Sequence, residues 1–438
     1  MKMLNRMAAE AVRELDAIRH PSAGARVKNL AKSLIGRGSA NISDPIFWPA
    51  GLLLTGLMET GQAGDSVPRL RNYYNSVENY LDGWLRQGAP VRNPDDALTG
   101  TVILELYART GNPAYKEAAD KIAAYLKGCL RDANGSIIYG QQSGNSWIYA
   151  DGTGMTAMFL ARYAGISYTR SQEDVKTAGN QQDKLPDSAP EAESKSKSPE
   201  EFQDESPFRR YDPMADARLQ LLNFARYGMD ARSGLPYHAF DTENGVKLGI
   251  IGWGRAVGWL LLGLSEYLVC NPEDEELADF ARTIITAVSD RIRPDGMLSW
   301  QLDCIEGPLD TSATGMIFYA MLRMNKALHV CPGQNEAPRM DSSLPDTFLP
   351  DTATTASSPA KALHACPEQS GVPRTDSSLL DAAAASLYEC VTGDGRVYWC
   401  SAECIDIAQY SQQYGHYPWG QGAVLAFLSL YEASREVS

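Results

Sequence analysis

Apolar residues recur at helical spacing along most of the chain. "DALTGTVILELYARTG" keeps a helix period and ends in Gly, and "PAYKEAADKIAAYLKGCL" follows at once with Pro near its start. "DGTGMTAMFLARYAG", "PMADARLQLLNFARYGMD", "WGRAVGWLLLGLSEYL", "DEELADFARTIITAVSDRI" and "WGQGAVLAFLSLYEAS" repeat the design. The pattern predicts roughly a dozen helices, in pairs joined by loops. The first helix of a pair opens with small residues and Gly, as in "WPAGLLLTGL", "GRAVGWLLLGL" and "TSATGMIFYAM"; the second is more charged, as in "EELADFARTIITAV". That alternation predicts an inner ring of close-packed helices inside an outer ring, a repeat of shape more than of sequence. "GSIIYG" and "GMLSWQ" carry short β signals and predict loops or hairpins at one end.

Two polar segments interrupt a single domain spanning 1–438. Residues 171–207 are charged and rich in Pro and Ser, and read as a disordered insertion. Residues 331–377 form a second loop insertion, built on a duplication. "KALHVCPGQNEAPRMDSSLPD" from Lys326 recurs as "KALHACPEQSGVPRTDSSLLD" from Lys361, an offset of 35 residues. His329 and His364 are copies of one another, so neither is a catalytic candidate.

Composition narrows the classes. Hydrophobic residues at 44% and charged residues at 21% suit a globular protein with a large core. A net charge of -14 disfavours nucleic acid and anionic membranes as partners, though not an anionic small molecule at a locally positive site. The N-terminus "MKMLNRMAAEAVRELDAIRH" reads as an amphipathic helix without a secretory h-region, and the apolar runs are too short to span a bilayer; a soluble cytoplasmic protein is expected, as a monomer or homodimer. Eight scattered cysteines make no disulfide framework. Cys400 and Cys404 lack a second ligand pair and read as buried or half-buried thiols. No metal, phosphate-loop or dinucleotide signature is present, so no cofactor is expected.

Three loop-to-helix junctions bring acids and aromatics beside glycines. In "NPDDALTG", Asp95 and Asp96 sit where a helix begins, and capping alone accounts for such a pair. In "WIYADGTGM", capping accounts for Asp151 but not for Trp147 and Tyr149 crowding in front of it. An acid among aromatic faces is a common sugar-site arrangement, and reduced hydration there suits it to general acid work. In "IIGWGRAVGWLLLGLSEYL", Arg255 stands between Trp253 and Trp259 in an otherwise apolar stretch. A buried guanidinium needs an anion, either an internal carboxylate or one that arrives with a ligand. "SGLPYHAFD" adds Tyr237 and His238. "QYGHYPWGQG" adds His416, Tyr417 and Trp419, which either cap the barrel or stack on a sugar.

Taken in order, "NPDDALTG", "WIYADGTGM", "GLPYHAFD", "GWGRAVGW", "LDTSATGMIFYAML" and "YPWGQGAVLAF" resemble the unsaturated rhamnogalacturonyl hydrolases, glycoside hydrolase family 105, relatives of the family 88 unsaturated glucuronyl hydrolases. The resemblance implies an all-α (α/α)6 barrel of six helical hairpins. It implies an oligosaccharide substrate ending in a 4,5-unsaturated uronic acid, released by hydration of the vinyl-ether double bond and collapse of the hemiketal. On that resemblance Asp151 is the acid/base, Asp95 or Asp96 the second acid, and Arg255 and His238 recognise the uronate. Trp259 and Tyr149 supply the stacking wall, and Trp253 and Trp419 are further substrate-binding candidates. Two other readings keep the same barrel: an inverting glycosidase on saturated sugars, with Asp151 and Asp95 or Asp96 as its acid/base pair, and a non-catalytic sugar-binding protein.

Overall fold

The computed structural model describes residues 2–21, 44–66, 72–141, 144–181, 211–328, 377–404, 407 and 409–436. Among them are twelve helices: α1 (Lys2–Arg19), α2 (Trp48–Ser66), α3 (Tyr74–Arg86), α4 (Asp96–Thr110), α5 (Pro113–Gly128), α6 (Ala150–Gln181), α7 (Pro213–Tyr227), α8 (Gly254–Cys270), α9 (Glu275–Ser289), α10 (Thr311–Leu328), α11 (Ser377–Glu389) and α12 (Pro418–Glu436). The even-numbered helices pack side by side in the order α2, α4, α6, α8, α10, α12, and α12 closes back on α2. The odd-numbered helices lie outside them. This is the double ring expected from the pairing pattern. Because inner and outer helices alternate, all six inner helices run the same way and bring their N-termini to one end.

Close packing inside the ring depends on missing side chains. A Cβ on Gly154 of α6 would stand 2.1 Å from the Trp259 carbonyl oxygen of α8, and one on Gly263 would stand 2.9 Å from the Gly154 carbonyl oxygen. The small residues that open each inner helix let backbones touch. Toward the opposite end the ring is crossed by buried charges. Glu266 of α8 accepts from Arg162 of α6 at 2.7 Å and from Arg323 of α10 at 2.8 Å; Arg323 also reaches Glu59 of α2 at 3.2 Å. Arg162 approaches Glu105 of α4 at 3.4 Å. Five inner helices therefore share one ionic layer, which the two arginines keep close to neutral and in which the acid at its centre, Glu266, is held below its ordinary range.

Among the described residues, strands occur only as small ribbons. β1 (Trp147–Tyr149), β2 (Tyr237–Asp241) and β3 (Val246–Ile251) form an antiparallel sheet in that order, and β4 (Cys400–Ser401) pairs with β5 (Tyr414–Gly415). "GSIIYG" contributes one isolated bridge, Arg131 with Ile137, and "GMLSWQ" two, Ser299 with Leu309 and Gln301 with Trp253.

The first polar segment begins later than the sequence suggests. Helix α6 continues to Gln181, so residues 171–181 are helical and not part of a disordered insertion. Most of the duplicated stretch lies outside the described residues, but its edges do not. Lys326–Leu328 ends α10, and Ser377–Asp381 opens α11, where Asp381 accepts from Tyr431 at 2.5 Å. The duplicated sequence is helix-compatible at its borders, which is how it joins two helices.

Helix α1 seals the ring where α12 meets α2. Gln421 of α12 donates to the carbonyls of Met7 at 2.8 Å and Gly395 at 3.0 Å. His416 Nε2 lies 2.5 Å from Glu14, and Arg396 donates to Glu10 at 3.0 Å. Glu10, Glu14 and His416 have metal-ligand spacing, but Arg396 and Arg13 already neutralise Glu10, so the group works as an ion-pair clamp. Of the two roles open to His416, capping the barrel is the one observed. Among the described residues no helix is long and apolar enough to cross a membrane.

Gly154→Ala is expected to destabilise by about 2–3 kcal/mol or more, because its methyl meets backbone that cannot rotate away. Gly128→Ala, where a Cβ meets nothing within 4 Å, is expected to be neutral or stabilising by up to ~1 kcal/mol. Thermal unfolding of the two variants checks the contrast.

Candidate active site

The shared end of the inner helices gathers the predicted junctions. Asp95 holds the N-cap position of α4, yet its side chain makes no capping bond. One oxygen accepts from the Tyr139 hydroxyl at 2.7 Å; the other is buried without a partner. Asp96 instead turns back on its own loop, accepting from the backbone N–H of Arg92 at 2.7 Å and Asn93 at 3.2 Å. The sequence left the two acids equivalent; the structure turns Asp95 toward Asp151 and Asp96 away to hold the loop. Burial pushes Asp95 up to about 8, with Asp96, Asp151 and Asp44 adding repulsion. Burial also raises Asp96, to about 7, against the pull of its two backbone donors. Asp44 is raised by burial as well.

Asp151 lies in the first turn of α6, with its side chain 14% exposed. Its Oδ2 is 3.1 Å from His238 Nε2, close but not aligned as a hydrogen bond. His238 sits on β2, and its Nδ1 is 2.9 Å from the Tyr410 hydroxyl, which also accepts from Ile250 N–H. A neutral ring that takes the Tyr410 proton at Nδ1 carries its own on Nε2, facing Asp151. Gly152 is required here because a Cβ would stand 2.5 Å from the Tyr139 ring, the same ring that reaches Asp95. Tyr149 packs on Tyr139 at 4.9 Å and meets His238 edge-on at 5.3 Å. Trp253 lies 4.4 Å from His238 on another side. Two acids and a histidine are thus brought together among aromatic rings, and burial keeps the proton on one of those acids, Asp95, near neutrality.

Arg255 requires a correction. It is 2% exposed and already has its anion. Nη1 donates to the Ser401 carbonyl at 2.9 Å and hydroxyl at 2.6 Å, and Nη2 donates to the Ala402 carbonyl at 2.9 Å. Fully buried Asp310 lies 4.0 Å away and accepts from the same Ser401 hydroxyl at 2.6 Å. Of the two anion sources open from sequence, the internal one is occupied. Trp253 and Trp419 flank the guanidinium at 4.7 and 5.6 Å. Trp259 is also corrected: it is 2% exposed and packed in the ring, while half-buried Trp48 lies edge-on to it at 6.2 Å and is the more accessible face. Trp419 is 7% exposed, donates to the Ser401 carbonyl at 3.0 Å and stacks on Tyr417 at 4.8 Å. Tyr237 belongs elsewhere, under Lys247.

Sequence reasoning missed Tyr139, Tyr410, Asp310, Trp48 and Asp44. Tyr139 reaches Asp95 across 44 residues and Tyr410 reaches His238 across 172, so no local pattern marks either.

Residues 23–194 and 199–335 match the family model described as Glycosyl Hydrolase Family 88. The unsaturated rhamnogalacturonyl hydrolase YesR of Bacillus subtilis is 22% identical over 288 residues, 64% of this chain and 71% of YesR. Two solved structures share the fold. "A possible member of GH105 family" from Salmonella enterica serovar Paratyphi A superposes with a TM-score of 0.61 at 15% identity, over 89% of this chain and 83% of that one. The unsaturated glucuronyl hydrolase of Bacillus sp. GL1 gives 0.53 at 14% identity, over 87% and 85%.

Two stability measurements follow from the site. Unfolded Asp95 ionises near pH ~4, while the folded group holds its proton to about 8. Between those values the folded state binds more protons, so this group's contribution to stability falls as pH rises. Asp95→Asn is expected to stabilise by ~1–3 kcal/mol at the alkaline end of that window and to change little at its acid end. Arg255→Met is expected to cost roughly 3–5 kcal/mol, because it strands Asp310. A cation that waited unpaired for a ligand would give the opposite sign, a higher melting temperature on removal.

Proposed function

The chain belongs to glycosyl hydrolase family 88, and from that premise we propose that the barrel mouth removes a 4,5-unsaturated uronic acid from the non-reducing end of lyase-generated oligosaccharides. The observation that carries this reading is the juxtaposition of Asp151 and His238 at 3.1 Å, beside Asp95, whose proton is retained near neutrality. Asp151 is the acid at the cluster's accessible edge. It gives a proton to C4 of the double bond, and the resulting carboxylate takes a proton from the water that adds to C5. The hemiketal so formed collapses, breaking the glycosidic bond and releasing the sugar as a keto acid. Asp95, kept neutral, donates a hydrogen bond to a sugar hydroxyl and spares Asp151 a second negative charge nearby. His238, oriented by Tyr410, holds Asp151 in place and offers its Nε2 proton to the ligand. Tyr149 lines a face of the sugar, and buried Trp253 packs behind His238.

Arg255 acts in this reading from beneath, fixing Ser401, Ala402 and the two flanking tryptophans as part of the wall. A rhamnogalacturonan-type substrate is supported by the shared motifs and by the name of the Bacillus subtilis relative.

The test follows the ultraviolet band of the conjugated uronyl double bond during incubation with lyase-generated disaccharides. Wild type is expected to abolish the band on pectin-derived substrate. Asp151→Asn is expected to lose about 10²–10⁴-fold in rate, and Asp95→Asn to keep more activity than Asp151→Asn. A flat trace with wild type on both pectin-derived and glycosaminoglycan-derived disaccharides would contradict the reading.

A further inference from the structure

Beside the mouth, between the end of α11 and the β4–β5 ribbon, lies a cleft of about 520 Å³. Trp399 and Tyr398 line it and are 55% and 39% exposed. Trp399 also has a φ of 61°, a left-handed conformation that is unfavourable for a bulky side chain. Three hydrogen bonds, to Thr311 and Cys390, hold the strained backbone. The N–H of Thr311 donates to the Trp399 carbonyl at 3.1 Å, the Thr311 hydroxyl donates to the Tyr398 carbonyl at 3.0 Å, and Tyr398 N–H donates to Cys390 at 3.0 Å. Glycine would occupy this backbone without strain, so chain geometry does not explain an indole there.

The wall of the cleft adjoins the residues that hold Arg255. Ser401, two residues beyond Trp399, receives Arg255 and Trp419 on the mouth side, and Tyr414 of the cleft pairs with Ser401 in the ribbon. Glu389, Thr392 and the Tyr414 hydroxyl offer hydrogen-bonding groups around the aromatic faces, and among the described residues no Lys or Arg lines the space. Aromatic faces with a few convergent polar groups suit a sugar ring, and the lack of a cation beside Glu389 suits a neutral one.

We propose that Trp399, with Tyr398 and Tyr414, forms a second platform that binds a neutral sugar ring of the oligosaccharide beyond the terminal uronic acid. This rests on the reading of the mouth as an oligosaccharide site. Ring stacking here adds affinity for longer chains without touching the chemistry.

The test is calorimetric binding of unsaturated disaccharide and tetrasaccharide to full-length Asp151→Asn, with and without Trp399→Gly. Glycine fits the left-handed backbone, so loss of fold does not confound the result. The tetrasaccharide is expected to bind roughly three- to tenfold more tightly than the disaccharide. Trp399→Gly is expected to erase that gain and leave disaccharide affinity unchanged, while Trp399→Phe keeps most of it. Equal affinity for both lengths in the parent, or a gain that survives Trp399→Gly, would overturn the platform. No binding of either length would overturn it together with the reading of the mouth. Length-dependent binding lost in Trp399→Gly, with no turnover by wild type, would leave the platform standing and remove only the proposed chemistry.

Discussion

The structure depends on keeping water away from Asp95. A carboxylate in that position, with one oxygen unpartnered and three other acids near, is unstable as an anion and holds its proton. Each neighbouring feature serves that condition. Asp96 draws the Arg92–Asn93 backbone over the start of α4, Tyr139 closes over Asp95, and Gly152 makes the room for Tyr139. Below the site the glycine contacts bring the inner helices together, and the Glu59, Arg162, Glu266 and Arg323 layer crosses the ring beneath. Such an arrangement costs stability at neutral pH, which is the common relation between an active site and its fold.

Much of the fold was legible because it is written locally. Small-residue openings such as "GRAVGWLLLGL" and charged partners such as "EELADFARTIITAV" distinguish inner from outer helices by composition alone, and α8 and α9 occupy those places. The borders of the polar segments were less legible. Residues 171–181 contain polar residues that tolerate a helix as readily as a loop, and α6 simply continues through them.

The site was legible in outline and misleading in detail. Asp151, His238, Tyr149 and Trp253 lie together, since each sits at a junction that the barrel brings to one end. Arg255 shows where local reading stops. A cation between tryptophans looks like a ligand's partner until Asp310 and Ser401, 55 and 146 residues away, are placed beside it. The same holds for Asp95 and Asp96, adjacent in sequence and opposite in role. Their division follows from where Tyr139 and the Arg92 N–H lie, and neither position can be derived from "NPDDALTG".

The most direct test of the account is the fate of the proton that the proposed reaction takes from Asp151. Turnover of an unsaturated disaccharide in heavy water, with the product examined by NMR and mass spectrometry at early times, reports whether carbon is protonated. The account predicts one deuterium placed stereospecifically at C4 of the released sugar. Release of the sugar with no carbon-bound deuterium would mean direct attack at the anomeric carbon and would contradict it.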